Sequence, residues 1–396
     1  MCYNDVKYPV YLITMFTRIL KKPEDSILLV GPRGTGKSTW IREHFKDAVT
    51  YDLLDSSEAL RFARDPSLLY KEVSILPAGS WVVVDEVQKA PALLDEVHRL
   101  IEQRGLRFIL SGSSARKLRR GGTNLLAGRA LLTPFFPLVS QEVGFDLPDM
   151  RQLRYGMLPK AFLSDRPQGY LRTYASTYLK EEIQAEALTR SIGAFSRFLE
   201  VASRQNGQIT NVSNIARDAQ VPRPTVACYF EILADTLIGS WLPAWKLKRA
   251  TKQARHPKFY FFDPGIGRAL SERLPYPPTE EESGVLLETW ILNELRAYLS
   301  YSGLDYPIYY WSSPDRVEVD FFLETARGYL ALEAKSAPAW RSAFGRGLQR
   351  LRSEMGGGSV RCLGVYGGAR KADFNGITIM PWLDFLKELW SGGIVT

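Results

Sequence analysis

The sequence predicts an α/β protein in three parts: a parallel sheet wound on both sides by helices, a helical middle, and a C-terminal α/β part. Three observations lead there. Apolar strands alternate with helical patterns over the first third. A run of short amphipathic helices occupies the middle. A strand pair, "VEVDFFLETARGYLALEAK" (317–335), carries charges at the edges of its apolar arms.

The chain has 396 residues, is 45% hydrophobic and 24% charged, and carries a formal net charge of +8. That composition suits a soluble globular protein, and the length suits two or three domains of about 100–200 residues each. Apolar runs are too short to span a bilayer, and the N-terminus lacks the basic start and cleavage pattern of a signal peptide. Cys2, Cys228 and Cys362 have no pairing or metal spacing; a cytoplasmic protein is expected. The histidines, His44, His98 and His256, are too dispersed for a zinc site. Positive charge is concentrated: residues 104–129 hold seven Arg or Lys and no acid, and residues 244–258 hold six and no acid. Such runs suit a phosphate backbone or a solvated face.

In the N-terminal third, "SILLVGPRGTGKSTW" places an apolar strand before the full G-x-x-x-x-G-K-[ST] pattern. Gly31, Arg33, Gly34, Thr35, Gly36, Lys37, Ser38 and Thr39 form a candidate nucleotide cradle. Glycines let backbone N–H groups wrap phosphates at a helix N-terminus. Lys37 is expected on the β- and γ-phosphates of ATP and Ser38 on Mg²⁺. "SWVVVDEVQKAP" (80–91) is a buried strand ending in Asp85, expected to hold Mg²⁺, and Glu86, expected to polarise the attacking water. A third strand, "LRFILSGSSA" (106–115), puts Ser111 where it would meet the γ-phosphate. Arg129 is a candidate arginine finger for a neighbouring subunit of a homo-oligomer, or a surface arginine.

Residues 193–240 read as helical, and "ITNVSNIARDAQVPRPTVACYFEILADTLI" has helix-turn-helix spacing. Val212, Ile215 and Ala216 would pack the first helix, and Val226, Phe230 and Leu233 the second, with Pro224 in its first turn. "WLPAWKLKRATKQARHPKFYFF" follows as two strands around a basic wing. Arg223 and Thr225 are candidates for DNA contact, although winged helices also serve as lids and protein-docking modules.

In the last third, "SGVLLETWILNELRAYLSYSG" (283–303) is a helix with Leu287, Ile291 and Leu295 as its core stripe and Glu288 beside it. Glu333 and Lys335 share one face of a strand because the side-chain period is two, and Asp320 lies on the preceding strand. Asp320 and Glu333 are candidate Mg²⁺ ligands, Lys335 a candidate for activating water or offsetting phosphate charge, and Glu288 a second-rank ligand or base.

The strings "VVVDEVQKAPALLDEVHRLIE", "ILSGSSARKL", "LLAGRA" and "PLVSQEVG" resemble the AAA_14-type ATPases of the AAA+ class, which usually carry a DUF4143 region. "GVLLETWILNEL", "EVDFF" and "LALEAK" are similar to DUF4143 motifs, and the E…D…E-x-K arrangement resembles the PD-(D/E)XK, restriction-endonuclease-like fold, with Val319 standing where proline usually precedes the aspartate. The resemblance implies an AAA+ ATPase domain over 1–145, a helical and winged-helix domain over 146–265, and a nuclease-like domain over 266–396. It implies ATP and Mg²⁺ as cofactors, DNA as partner, no membrane, and ATP-dependent DNA binding or processing. Two other readings stay open: a regulatory ATPase whose C-terminal part only binds DNA or protein, and a STAND-type switch.

Overall fold

The structure is a computed structural model and describes residues 16–113, 128–178, 191–246, 256–356 and 360–395. Its first unit is a five-stranded sheet. The strands are β1 (Ile27–Val30), β2 (Val49–Asp52), β3 (Trp81–Asp85), β4 (Arg107–Gly112) and β5 (Leu131–Pro134). Their order is β2-β3-β4-β1-β5 and every pairing is parallel. Alternate residues of each strand face opposite layers. Leu28, Val30, Val82, Val84, Phe108 and Leu110 pack with residues of helices α2 (Ser56–Arg64), α3 (Ser67–Val73) and α4 (Leu93–Arg104). Ile27, Leu29, Val83 and Ile109 pack with Trp40, Ile41 and Phe45, at and after helix α1 (Lys37–His44). Both faces are therefore covered, which is why these strands read as continuous apolar runs. Because β4 lies between β1 and β3, the ends of all three strands meet at one edge of the sheet.

A helical layer follows: α5 (Arg151–Tyr155), α6 (Pro159–Leu163) and α7 (Pro167–Thr173). Then come α8 (Ile192–Arg204), α9 (Val212–Ala219) and α10 (Arg223–Asp235), and an antiparallel hairpin of β6 (Gly239–Leu242) and β7 (Lys258–Phe261). Asn211 caps α9 by accepting from the N–H groups of Ser213 and Asn214 at 3.0 and 3.1 Å. Ile215, Ala216, Val226, Phe230 and Leu233 are buried, as the helix-turn-helix spacing predicts, and Val212 is only partly buried. The Phe230 ring lies 4.9 Å from that of Phe259, fastening α10 to the hairpin. The basic residues Lys248, Arg249 and Lys252 lie outside the described residues.

Helix α11 (Pro264–Leu270) leads to the long α12 (Glu280–Tyr301), which packs on a six-stranded mixed sheet. This sheet comprises β8 (Ile308–Ser312), β9 (Glu318–Thr325), β10 (Gly328–Lys335), β11 (Val360–Tyr366), β12 (Ala372–Phe374) and β13 (Ile377–Pro381), in the order β12-β13-β11-β10-β9-β8. β9 and β10 are antiparallel, with "TARG" turning between them. Leu287, Ile291 and Leu295 of α12 are fully buried in one layer with α14 (Trp382–Trp390), and α13 (Arg346–Glu354) covers the other face.

Candidate functional site

The loop between β1 and α1 is shaped by close approach. Gly34 and Gly36 have φ of 77° and 98°, the left-handed region that glycine adopts without strain. A Cβ at Gly31 would stand 2.3 Å from the Phe135 carbonyl oxygen. Lys37 Nζ donates to the carbonyls of Gly31 and Pro32 at 2.6 and 3.1 Å, so the ammonium lies over the loop it belongs to. The Tyr174 hydroxyl donates to the Arg33 carbonyl at 3.0 Å.

The three strand ends converge on Asp85. Ser38 Oγ donates to its Oδ2 at 2.9 Å, and Ser111 Oγ donates to its Oδ1. Ser111 also accepts from the Glu86 N–H at 3.3 Å. Glu86 has φ 58°, a turn that directs it away from the strand. Gln88 donates to the Glu86 carboxylate and, at 3.3 Å, to Ser113 Oγ. The Ser38 hydroxyl and the Asp85 carboxylate are hard oxygen donors already within hydrogen-bond reach, a set that fits Mg²⁺. A cavity of about 520 Å³ opens beside the loop, lined by Gly34, Thr35, Gly36 and Thr39 and walled by Phe16, Trp40, Leu138 and Tyr170. Arg18, Glu43 and Lys160 also line it.

Arg18 was not singled out by sequence reasoning. It is buried against Phe135, 4.1 Å from the ring centre, and donates to the Thr35 carbonyl at 2.6 Å and to Glu142 at 2.9 Å. Glu142, in "PLVSQEVG", also accepts from the Ile19 and Val139 N–H groups at 2.9 and 3.1 Å. Two residues earlier, Ser140 donates through its N–H to Glu294 of α12 at 2.8 Å, and Glu294 accepts from Trp390 Nε1 at 2.7 Å. A line of buried polar contacts thus joins the cradle to the C-terminal unit. Arg129, two residues before β5, is ion-paired with Glu102 of α4.

The second cluster lies under α12. Lys335 Nζ sits 2.5 Å from Glu333 Oε1 and 3.5 Å from Asp320 Oδ2. Asp320 also accepts from the Ala334 N–H at 2.9 Å. The period of two therefore does put Glu333 and Lys335 on the face that Asp320 shares. β7 adds two residues that the sequence did not suggest. Lys258, buried, pairs with Glu318 at 2.8 Å, and the Tyr260 hydroxyl donates to Glu288 at 2.8 Å. Phe259 and Phe261, alternating with them, face the helical core, so period two was the available signal.

Burial pushes the Glu288 carboxyl up, and the charge of Asp320 adds to this. Burial and Asp320 likewise push Glu333 up. Burial pulls the Lys335 ammonium down, but Asp320 and Glu333 more than offset it and the net shift is upward. Lys258 is raised in the same way, Glu288 and Asp320 outweighing burial. Glu333 Oε2 is buried without a hydrogen-bond partner, an acceptor that suits a cation. Among the described residues, however, no group of three or more His, Cys, Asp or Glu stands in a metal-holding arrangement.

Three family models match separate stretches of the chain. Residues 23–144 match the family model described as AAA domain (AAA_14), residues 150–276 that of DUF8612, and residues 283–385 that of DUF4143, both domains of unknown function. Residues 23–144 are thus similar to AAA domains. Uncharacterized proteins of Mycobacterium tuberculosis and Mycobacterium bovis are each 27% identical over 318 residues, covering 78% of this chain and 70% of theirs. Among solved structures, the Aeropyrum pernix ORC1 protein in complex with DNA is 16% identical, with a TM-score of 0.31 over 64% of this chain and 87% of that one. A STAND protein with a tetratricopeptide repeat sensor from Pyrococcus horikoshii is 13% identical, with a TM-score of 0.23 over 75% of this chain and 50% of that one. At these scores the structural likenesses carry no argument. Among the described residues, no helix is long and apolar enough to cross a membrane.

Proposed function

We propose that this chain is a Mg²⁺-dependent ATPase that binds DNA and acts on its phosphodiester backbone through the cluster under α12. The observation that carries the ATPase half is Asp85 joined to Ser38 on one side and Ser111 on the other. In this reading Lys37 leaves the carbonyls of Gly31 and Pro32 for the β- and γ-phosphates. Glu86, steadied by Gln88, orients and polarises the attacking water. Ser111 meets the γ-phosphate. Ser38 and Asp85 would hold Mg²⁺, which when bound offsets phosphate charge. Arg129 would exchange Glu102 for the nucleotide of an adjacent subunit. Leu131 and Leu132, 59% and 46% exposed on the edge strand beside it, support a homo-oligomer.

The DNA half rests on Lys335 bridging Asp320 and Glu333. Asp320 and Glu333 would hold a divalent cation, and Lys335 would offset charge on the scissile phosphate, with Glu288 as an auxiliary base. Arg223 is exposed and Thr225 half-exposed at the start of α10, as a groove-reading helix requires. The units would divide near residues 145 and 265.

A second reading has its own support. Lys258 and Lys335 already answer the carboxylates from within the chain, so the C-terminal unit would be a binding platform under an ATPase switch. Incubating the protein with linear, branched and single-stranded DNA, with and without ATP and with Mg²⁺ or Mn²⁺, separates the two. Metal-dependent cleavage lost in Asp320→Ala supports the first reading; binding without cleavage under every condition supports the second.

A further inference from the structure

One open space beside the C-terminal unit belongs to neither site described above. It is a cleft of about 640 Å³ between α5, the first turn of α12 and the segment that leaves β10. Arg151, Arg154 and Tyr155 form one wall, Glu280 and Ser283 a second, and Ser336 opens a third. The cleft thus begins one residue beyond Lys335. That lysine is the most solvent-accessible member of its trio: its side chain is 27% exposed, against 8% for Asp320 and 9% for Glu333. Ser283 and Glu288 are five residues apart on α12, roughly 8 Å along the axis at about 1.5 Å per residue.

The two arginines are arranged around one ring. The Arg151 and Arg154 guanidinium carbons lie 5.7 and 5.1 Å from the centre of Tyr155. Arg151 is anchored by donating to the Ser164 carbonyl, and the Tyr155 hydroxyl accepts from Gln168 at 3.3 Å. Yet Nε of both arginines is buried with no hydrogen-bond partner. Leaving a buried charged donor unmet is costly. Two guanidinium groups face a single lining carboxylate, Glu280, so the cleft is net cationic.

We infer that this cleft seats a short stretch of single-stranded nucleic acid, with backbone phosphate on Arg151 and Arg154 and a base against Tyr155. Guanidinium forks match phosphate oxygens, and aromatic faces beside a cationic groove take bases without regard to sequence. A volume of this size falls in the range that encloses a small ligand, about 300–1,000 Å³, which is a nucleotide or two and not a duplex. Ser336, at one end of the cleft, directly follows Lys335 in the chain. The inference rests on the nucleic-acid reading above and adds to it the place and form of the substrate.

The test uses the full chain and a fluorescein-labelled oligothymidylate, followed by anisotropy over a range of salt, with a duplex of equal length and a polyglutamate peptide as competitors. Arg154→Ala is expected to weaken the oligonucleotide at least fivefold and to reduce the salt slope by about 0.7, the value for one phosphate on a single strand. Tyr155→Leu is expected to cost about fivefold or more, one lost stack, while Arg154→Lys restores part of the affinity. Thermal melts check that each variant folds. A readout independent of variants is photocrosslinking of an iodouracil oligonucleotide to the wild-type chain, expected at residues 151–155 or 336–338. Crosslinks confined to α10, with Arg154→Ala binding normally, would overturn this site and leave DNA binding intact. Polyglutamate that competes and depends on Arg154, while the oligonucleotide does not, would make the cleft a peptide seat and also overturn it. If no nucleic acid of any form binds, this inference and the DNA half of the proposed function fall together.

Discussion

Ser38 and Asp85 stand 47 residues apart in the chain and 2.9 Å apart in the fold, joined hydroxyl to carboxylate at the sheet edge. Ser111 closes on the other oxygen of the same carboxylate because β4 runs between β1 and β3. Lys37→Ala should therefore weaken ATP binding by removing a charge from the β/γ-phosphates, whereas Glu86→Gln should leave binding intact and reduce turnover at least a hundredfold. Nucleotide binding by calorimetry and phosphate release by a coupled assay separate the two. Normal turnover in Glu86→Gln would remove it from the role of water-orienting base.

Gln88 has a subordinate place in that arrangement, since its amide holds the Glu86 carboxylate. Gln88→Ala is expected to lower kcat by about tenfold, on the scale of a misplaced catalytic group, with ATP affinity unchanged. An equal loss in affinity would show that Gln88 shapes the nucleotide pocket.

Arg129→Ala is expected to abolish turnover while ATP affinity persists, because an arginine finger acts on transition-state charge. Mixed with Lys37→Ala, it should recover part of the activity, since one interface in the mixture is then complete. A strictly monomeric protein with full activity, measured by light scattering alongside the assay, would rule this out.

Arg18→Met should destabilise the chain by about 3–5 kcal/mol, the cost of stranding a buried partner. Glu142 loses its ion pair and the Thr35 carbonyl loses its donor. Chemical denaturation followed by tryptophan fluorescence reads the loss, and saturating ATP should recover part of it by mass action.

Burial raises the Glu294 carboxyl to about 7, against the pull of Ser140 and Trp390. The native chain therefore keeps this proton at pH values where the unfolded chain has released it. The stability linked to it is full below the unfolded value of 4.5 and is lost as pH rises through about 7. Glu294→Gln carries no charge at any pH, so its melting midpoint relative to wild type should climb between about pH 5 and pH 8. A gap independent of pH would show that Glu294 is ionised throughout.

Asp320→Asn and Lys335→Ala should each abolish any metal-dependent cleavage while ATP hydrolysis persists. Asparagine keeps an acceptor for the Ala334 N–H and removes a charge that pushes Glu288 and Glu333 up. It also removes the partner of Lys335, so in EDTA the melting midpoint should shift by no more than a few degrees, relief of like-charge repulsion offsetting the lost ion pair. A sharp fall, together with wild-type protein that cuts no DNA, would mark a structural ion network.

What could be read from the sequence was what the sequence writes locally. The cradle from Gly31 to Thr39 is contiguous. β3 and β4 declare themselves by apolar runs, and Glu333 and Lys335 share a face because strands repeat every two residues. The same local logic exposed the helix stripe of Leu287, Ile291 and Leu295.

Partner choice across the chain has no such local signature. Arg18 finds Glu142 at a separation of 124 residues, Ser140 finds Glu294 at 154, and Lys258 reaches Glu318 from a different unit. In sequence these are ordinary polar or charged residues, each as compatible with solvent as with burial. Their meaning comes from the desolvation imposed when β7 and the segment around residue 140 pack against α12, where an unpaired charge would be expensive. The sequence by itself determined the strands, helices and motif that build two charged sites. Only the tertiary structure decided which carboxylates are buried and which cations answer them, because burial and pairing are properties of the packed chain and not of any segment of it.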